Sequence, residues 1–183
     1  MVNFVMLLFA GIFADTKEQE HTGGFMTDPS GKYVVFQEEK KEFNRDFNLQ
    51  DYVLGFFDEK EVETEKEGAQ RVKISGKTML KKHAGIGNYI AGNLNYNMIF
   101  EKTADGYRYW FTDLSYQPYV KDRYGKIVPA NVKPIPLEKE MSKINKGVWK
   151  RQREFAFQTM NDLAGRLNEY LGRADEPRVI AIN

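Results

Sequence analysis

Among its 183 residues the sequence has no cysteine. That absence removes a disulfide framework, a thiolate zinc site, an iron–sulfur cluster and a cysteine nucleophile at once. Histidine is almost as scarce, with only His21 and His83 present, so neither a histidine-rich metal site nor a serine triad is expected. Ser75 and Ser115, the serines that a triad with Asp113 would need, stand outside any G-x-S-x-G elbow. Net charge is lacking too: 27 Lys and Arg face 26 Asp and Glu, whereas a dedicated nucleic-acid binder is usually basic throughout, so nucleic acid is not an expected partner. Gly85, Gly87 and Gly92 do not have G-x-G-x-x-G spacing and lead into a β-alternating segment, which leaves no helix N-terminus for a phosphate. No cofactor or metal is expected.

What is present is a chain long enough for one domain with a real core; a chain of this size buries roughly 70% of the surface it exposes when unfolded. Residues 1–13 (MVNFVMLLFAGIF) carry no charge, the length of a signal-peptide apolar region and too short for a membrane span. The expected organisation is a signal peptide over 1–14, a linker over 15–31, a single α+β domain over 32–173 and a tail over 174–183. Export to the periplasm or medium follows, with a cytoplasmic location if the apolar segment is retained.

Within the domain, Tyr33–Phe36 reads as a strand. Asn48 reads as the N-cap of a short helix carrying Leu49, Tyr52, Val53, Phe56 and Phe57 at helical spacing. The stretch 58–67 (DEKEVETEKE) is nearly all charged and reads as an exposed connection. Arg71–Ser75 alternates as a half-buried strand, with Val72 and Ile74 inward. A hairpin follows between Tyr89 and Tyr116, turning at Asp105–Gly106. Its first arm sets Leu94, Tyr96, Met98 and Phe100 at period two. Its return arm sets Tyr107, Tyr109, Phe111 and Asp113 on one face, and Arg108, Trp110, Thr112 and Leu114 on the other. Residues 117–136 hold four of the six prolines and suit an edge hairpin around Tyr124–Gly125. Pro136 at the first helical position is expected to begin a long helix, whose stripe of Phe155, Thr159, Leu163, Leu167 and Leu171 packs on the sheet, with Gly172 as the stop. The fold class is α+β: an antiparallel curved sheet with a short helix and a long C-terminal helix packed on one face.

The aromatic cluster of Tyr107, Tyr109, Trp110, Tyr116, Tyr119 and Tyr124 is the candidate binding surface, since such groups line grooves for sugars or anchor protein interfaces. A basic face is expected from Lys139, Lys143, Lys146, Lys150 and Arg153. Lys133 to Arg153 holds seven basic and two acidic residues, while Glu38 to Glu67 holds eleven acidic and five basic. Such poles steer charged partners or pair with each other. The leading expectation is a non-catalytic exported binding module for a protein or glycan ligand. The alternative is a hydrolase of glycan or peptide working through Asp113 and Glu101, which needs two carboxyl groups facing across a cleft. A third reading attaches the Lys143 to Arg153 face to anionic lipid or nucleic acid.

The succession of Tyr33–Phe36, the helix over 49–57, Val72-Lys-Ile-Ser-Gly-Lys77, Leu94-Asn-Tyr-Asn-Met-Ile-Phe100 and Asp105-Gly-Tyr-Arg-Tyr-Trp-Phe-Thr-Asp113 resembles a bacterial domain family of unknown function with a TATA-binding-protein-like fold. The resemblance covers roughly residues 33 to 116. It implies a curved antiparallel sheet with helices against one face, in exported proteins of Gram-negative bacteria, and no catalytic residues. DNA binding does not come with the fold, because function resides in sites.

Overall fold

The computed structural model describes residues 24–41, 48–57, 62–84 and 87–173, with the backbone alone over 81–84 and 87–90. The N-terminal apolar run, residues 58–61 of the acidic connection, the side chain of His83 and the tail from 174 lie outside the described residues.

The strands are β1 (Met26–Thr27), β2 (Tyr33–Lys40), β3 (Glu63–Lys66), β4 (Arg71–Ala84), β5 (Gly87–Lys102), β6 (Gly106–Lys121), β7 (Ile127–Pro129) and β8 (Ile135–Pro136); the helices are α1 (Leu49–Leu54) and α2 (Lys146–Gly172). All pairings are antiparallel, in the order β1-β2-β6-β5-β4-β3, with β7 and β8 both paired to β6. The expected sheet is therefore there, built on a β4–β5–β6 meander of long strands.

Period-two alternation sets the buried face. Val72 and Ile74 of β4, Leu94, Tyr96, Met98 and Phe100 of β5, and Tyr107, Tyr109 and Phe111 of β6 form one cluster with the apolar sides of both helices. One residue breaks the alternation. Asn95 opposes Ser115 but Asn97 opposes Thr112, so β6 carries one extra residue, and Asp113 takes φ 54°. Aspartate tolerates this left-handed conformation better than most residues. The bulge turns Asp113 outward and returns Leu114 to the core, fully buried. The expected placing of Leu114 beside Arg108, Trp110 and Thr112 is corrected for that reason.

The helices pack on this face. At α1 the Asn48 Oδ1 accepts from the Asp51 backbone N–H at 3.2 Å, the side-chain cap the sequence implied. Leu49 and Val53 are buried, and Tyr52 stacks on Tyr170 with ring centroids 4.5 Å apart. The second helix starts at Lys146, ten residues later than expected. Pro136 is instead part of β8, opposite Ser115, and the next residue, Leu137, donates its backbone N–H to Leu114 O at 3.0 Å and is buried. Sheet pairing and burial thus hold this proline where its ring would suit a helix start. The buried seam of α2 runs through Trp149, Ala156, Met160, Leu163, Leu167 and Leu171. Phe155 and Thr159 flank it half-exposed, the Thr159 hydroxyl bonding back to Phe155 O at 2.8 Å.

Two stretches without an expected element pair into the sheet. From the segment read as linker, Phe25 is 2% exposed, stacked on Tyr33 and edge-on to Phe157, and β1 pairs with β2. Inside the charged connection, β3 forms the sheet edge with all four side chains exposed. Backbone pairing needs no apolar side chains, and a charged edge strand discourages further strand addition.

Candidate functional site

All described helices lie on one side of the sheet, so the opposite face carries the central-strand side chains that no described helix covers, most of them half-exposed. Residues directly opposite on neighbouring strands share a face, and three kinds of cross-strand row result. At one end, Glu38, Arg108, Glu101 and Arg71 alternate in charge across four strands. Arg108 Nη2 and Nε both lie 2.7 Å from Glu101 Oε2. The next row is apolar at its centre: Phe36, Trp110 and Ile99, followed by Lys73. Trp110 is half-buried, with the Arg71 guanidinium 5.5 Å from its ring centroid.

Beyond Trp110 the face becomes polar through three asparagines at period two. Asn97 accepts from Ser75 Oγ at 2.8 Å and donates to Asp113 Oδ2 at 2.9 Å. Asn95 donates to Ser115 Oγ at 3.3 Å, and Asn93 to the Tyr119 hydroxyl at 2.9 Å. Asp113 also accepts from Lys32 Nζ. That hydrogen bond, helped by Asn97 and opposed by partial burial, holds the Asp113 carboxyl below the usual aspartate range, and it raises the Lys32 ammonium in turn. Each amide keeps donor or acceptor capacity unused by these bonds, since an asparagine side chain offers two N–H groups and two lone pairs.

The six candidate aromatics do not converge. Tyr107 and Tyr109 are buried in the core. The Tyr109 hydroxyl reaches Asn168 Oδ1 at 2.7 Å and Ala164 O at 3.1 Å on α2, and burial pushes the Tyr107 phenol up to about 12. Both leave the candidate surface: they are the inward residues of a strand covered by a helix. Tyr116 is also on the helix side, half-buried against Trp149, with its hydroxyl donating to Ala91 O at 2.7 Å. Only Trp110 and Tyr119 stand on the helix-free face, at its centre and near its far end. Tyr124 is 73% exposed at the β6–β7 turn, beside Arg123.

The basic residues divide at the later helix start. Lys139 and Lys143 precede α2, Lys146 and Lys150 are exposed on its first turns, and Arg153 is half-buried with Nη1 donating to the Tyr33 hydroxyl at 2.9 Å. The carboxylate pair of the hydrolase reading is separated. Glu101 lies four residues along β5 from Asn97, the partner of Asp113, which puts their backbones roughly 14 Å apart at about 3.4 Å per residue. Retaining and inverting glycosidase pairs lie at about 5 to 9.5 Å. Each carboxylate is also already held by its own cation, Arg108 or Lys32. Among the described residues, no three His, Asp or Glu side chains gather as metal ligands would, and no helix is long and apolar enough to cross a membrane.

The asparagine row was the feature missed in the sequence. Its signal was there: Asn93, Asn95 and Asn97 interleave with Leu94, Tyr96 and Met98, although asparagine is depleted in strands.

No family model and no curated protein matches the chain. The chain is similar to a solved structure, the crystal structure of a TBP-like protein from Parabacteroides distasonis ATCC 8503, at 11% identity and a TM-score of 0.49, over 81% of this chain and 96% of that one.

Proposed function

We propose that the chain is an exported, non-enzymatic binding module that holds a glycan-type ligand on the helix-free face of its sheet. The observation that carries the reading is the half-exposed indole of Trp110 beside the amides of Asn97 and Asn95 on that face. An aromatic ring offers the apolar face of a sugar a stacking surface, and fixed amides donate to and accept from its hydroxyls. Asparagines braced by Ser75, Asp113 and Ser115 have already lost side-chain freedom, which lowers the entropic cost of binding. A binding role, not a catalytic one, is supported by the separation and pairing of Glu101 and Asp113. Export is supported by the uncharged run over residues 1–13, the length of a signal-peptide apolar region.

The chain has two tryptophans, and Trp149 is buried, so both emit but a ligand in contact with the sheet face should alter the emission of Trp110 alone. Titration with cellohexaose and with chitohexaose is expected to change that emission saturably with at least one of them. The change should disappear in Trp110→Phe, and binding should weaken about tenfold, one lost hydrogen bond, in Asn97→Ala. A response to neither sugar, or one that survives in Trp110→Phe, would refute the glycan reading. Fractionation of a Gram-negative host expressing the tagged chain tests export; recovery solely from the cytoplasm would refute it.

A further inference from the structure

The near-neutral total conceals a sharp division. Residues 119–153 hold ten Lys and Arg against three Asp and Glu, which leaves seventeen basic and twenty-three acidic residues for the rest. The segment is thus at +7 in a chain whose remainder is at −6. It is structurally one unit, hung on the last third of β6: β7 pairs with Tyr119–Lys121, β8 pairs with Ser115 and Tyr116, and Trp149 at the start of α2 packs on Tyr116. Tyr116 to Lys121 spans roughly 17 Å at about 3.3 Å per residue, so these parts occupy one end of the molecule.

Further observations set this end apart. All ten cations except Arg153 are exposed, and among the described residues none of the ten forms an ion pair, the pairs lying elsewhere. Two of the three acids are turned to backbone donors, Asp122 to the N–H groups of Tyr124 and Lys126 and Glu138 to that of Tyr33. Among the described residues, six of the eight large apolar side chains left exposed also belong to this segment: Val120, Tyr124, Ile127, Val132, Ile144 and Val148, with Ile144 at 92%. Lys146 and Lys150 crowd the positive end of the α2 dipole with no acidic residue in the first turn, an arrangement that costs helix stability.

We propose that this end of the molecule, from the β6–β7 hairpin to the first turns of α2, is a docking surface for anionic phospholipid. Unpaired lysines and arginines are drawn to an anionic headgroup layer, and apolar side chains standing among them gain by entering its acyl boundary. Charge complementarity alone would suit nucleic acid equally well. The exposed Ile144 and Val148 favour lipid, because a phosphate backbone gives such side chains nothing to bury against. This surface is distinct from the Trp110 face, and either assignment can fail without the other.

The test is vesicle flotation of the full chain with phosphatidylcholine alone and with phosphatidylcholine containing 30% phosphatidylglycerol, the quantity read being the excess binding to the anionic vesicles. That excess is expected to fall with added salt. It should drop about tenfold or more in Ile144→Ser/Val148→Ser and in Lys143→Gln/Lys146→Gln/Lys150→Gln, whose changed residues are exposed and leave the core intact. Circular dichroism checks that each variant is folded. Equal binding to both vesicle types, or an excess unchanged in both variants, overturns the proposal, including the case in which residues 1–13 drive the attachment. Salt-sensitive binding to a DNA duplex that survives Ile144→Ser/Val148→Ser, without an anionic-vesicle excess, also overturns it and assigns the surface to nucleic acid.

Discussion

The two faces of the β4–β5–β6 meander come from the same residues taken alternately, yet they obey different physics. The inward set, Ile74, Met98, Phe100, Tyr109, Phe111 and Leu114, is sealed under two helices and holds the fold by removing apolar surface from water. In the outward set around Trp110, Asn93, Asn95, Asn97 and Asp113 make their hydrogen bonds sideways, strand to strand. Solvent competes for those bonds, so each contributes little to stability. The face can therefore vary its groups at low structural cost, and substitutions on the two faces should differ sharply in what they cost stability.

The largest separation is expected between Phe111→Ala and Trp110→Ala, adjacent residues on opposite faces. Removing the buried ring should cost about 3–5 kcal/mol of unfolding free energy by urea denaturation. Removing the half-exposed indole should cost about 1 kcal/mol, as is usual away from a core. Equal losses would mean that the outer face is as structural as the inner. Next comes Gly106→Ala. A Cβ there would fall 2.0 Å from the carbonyl oxygen of Glu39 on β2, so strand separation must give, at a cost on the order of 1–3 kcal/mol. The contrasting control is Gly125→Asn in the β6–β7 turn, where φ is +80° with open space around; asparagine tolerates that conformation, and little change is expected.

Gly106 also shows how far the sequence could be read. Asp105–Gly106 marks the hairpin, though not through a left-handed glycine. Gly106 has no positive φ; it is needed because β2 passes close by. The inner face was legible because burial leaves apolar residues at every second position over Leu94–Phe100 and Tyr107–Phe111. Two features escaped. The bulge at Asp113 shifts the alternation by one, and nothing in the local pattern announces an extra residue whose partner strand lies sixteen positions earlier. Pro136 satisfied the local rule for a helix start, but pairing with β6, a tertiary interaction, took precedence. The candidate surface was legible only in part. Clustering in sequence brought Tyr107 and Tyr109 together with Trp110, although neighbours in a strand point to opposite faces, so a cluster there is divided between core and solvent.

A smaller effect sharpens the contrast within the polar groups themselves. Tyr109→Phe removes a buried hydroxyl from Asn168 and Ala164 of α2, and should cost about 1–2 kcal/mol, the loss of one buried hydrogen bond. Asn95→Ala, on the outer face, removes one 3.3 Å bond to Ser115 and should cost under about 1 kcal/mol. Thermal unfolding of the two variants under one set of conditions compares them directly; a larger loss in Asn95→Ala would reverse the assignment of the two faces.

The smallest effect concerns the charge on the outer face, and its sign is fixed by the direction of one pKa. Lys32 holds the Asp113 carboxyl below its ordinary value of 3.8. A carboxyl whose pKa is lower folded than unfolded adds stability above the unfolded value, and that contribution disappears as pH falls through the folded one. Both side chains are substantially exposed, at 49% and 41%, so solvent and salt keep the contribution modest. Asp113→Asn isolates it: asparagine accepts the left-handed φ of 54° and can still take the hydrogen bond from Asn97, losing only the charge. Urea midpoints measured from pH 7 down to pH 2 should therefore show the native chain ahead at neutral pH, with the gap closing below about pH 4 and shrinking in 1 M salt at pH 7. Midpoints that stay parallel across the range would show that Lys32 and Asp113 contribute nothing as a charged pair, and that the bulge is held by its neighbours' packing and by Asn97 alone.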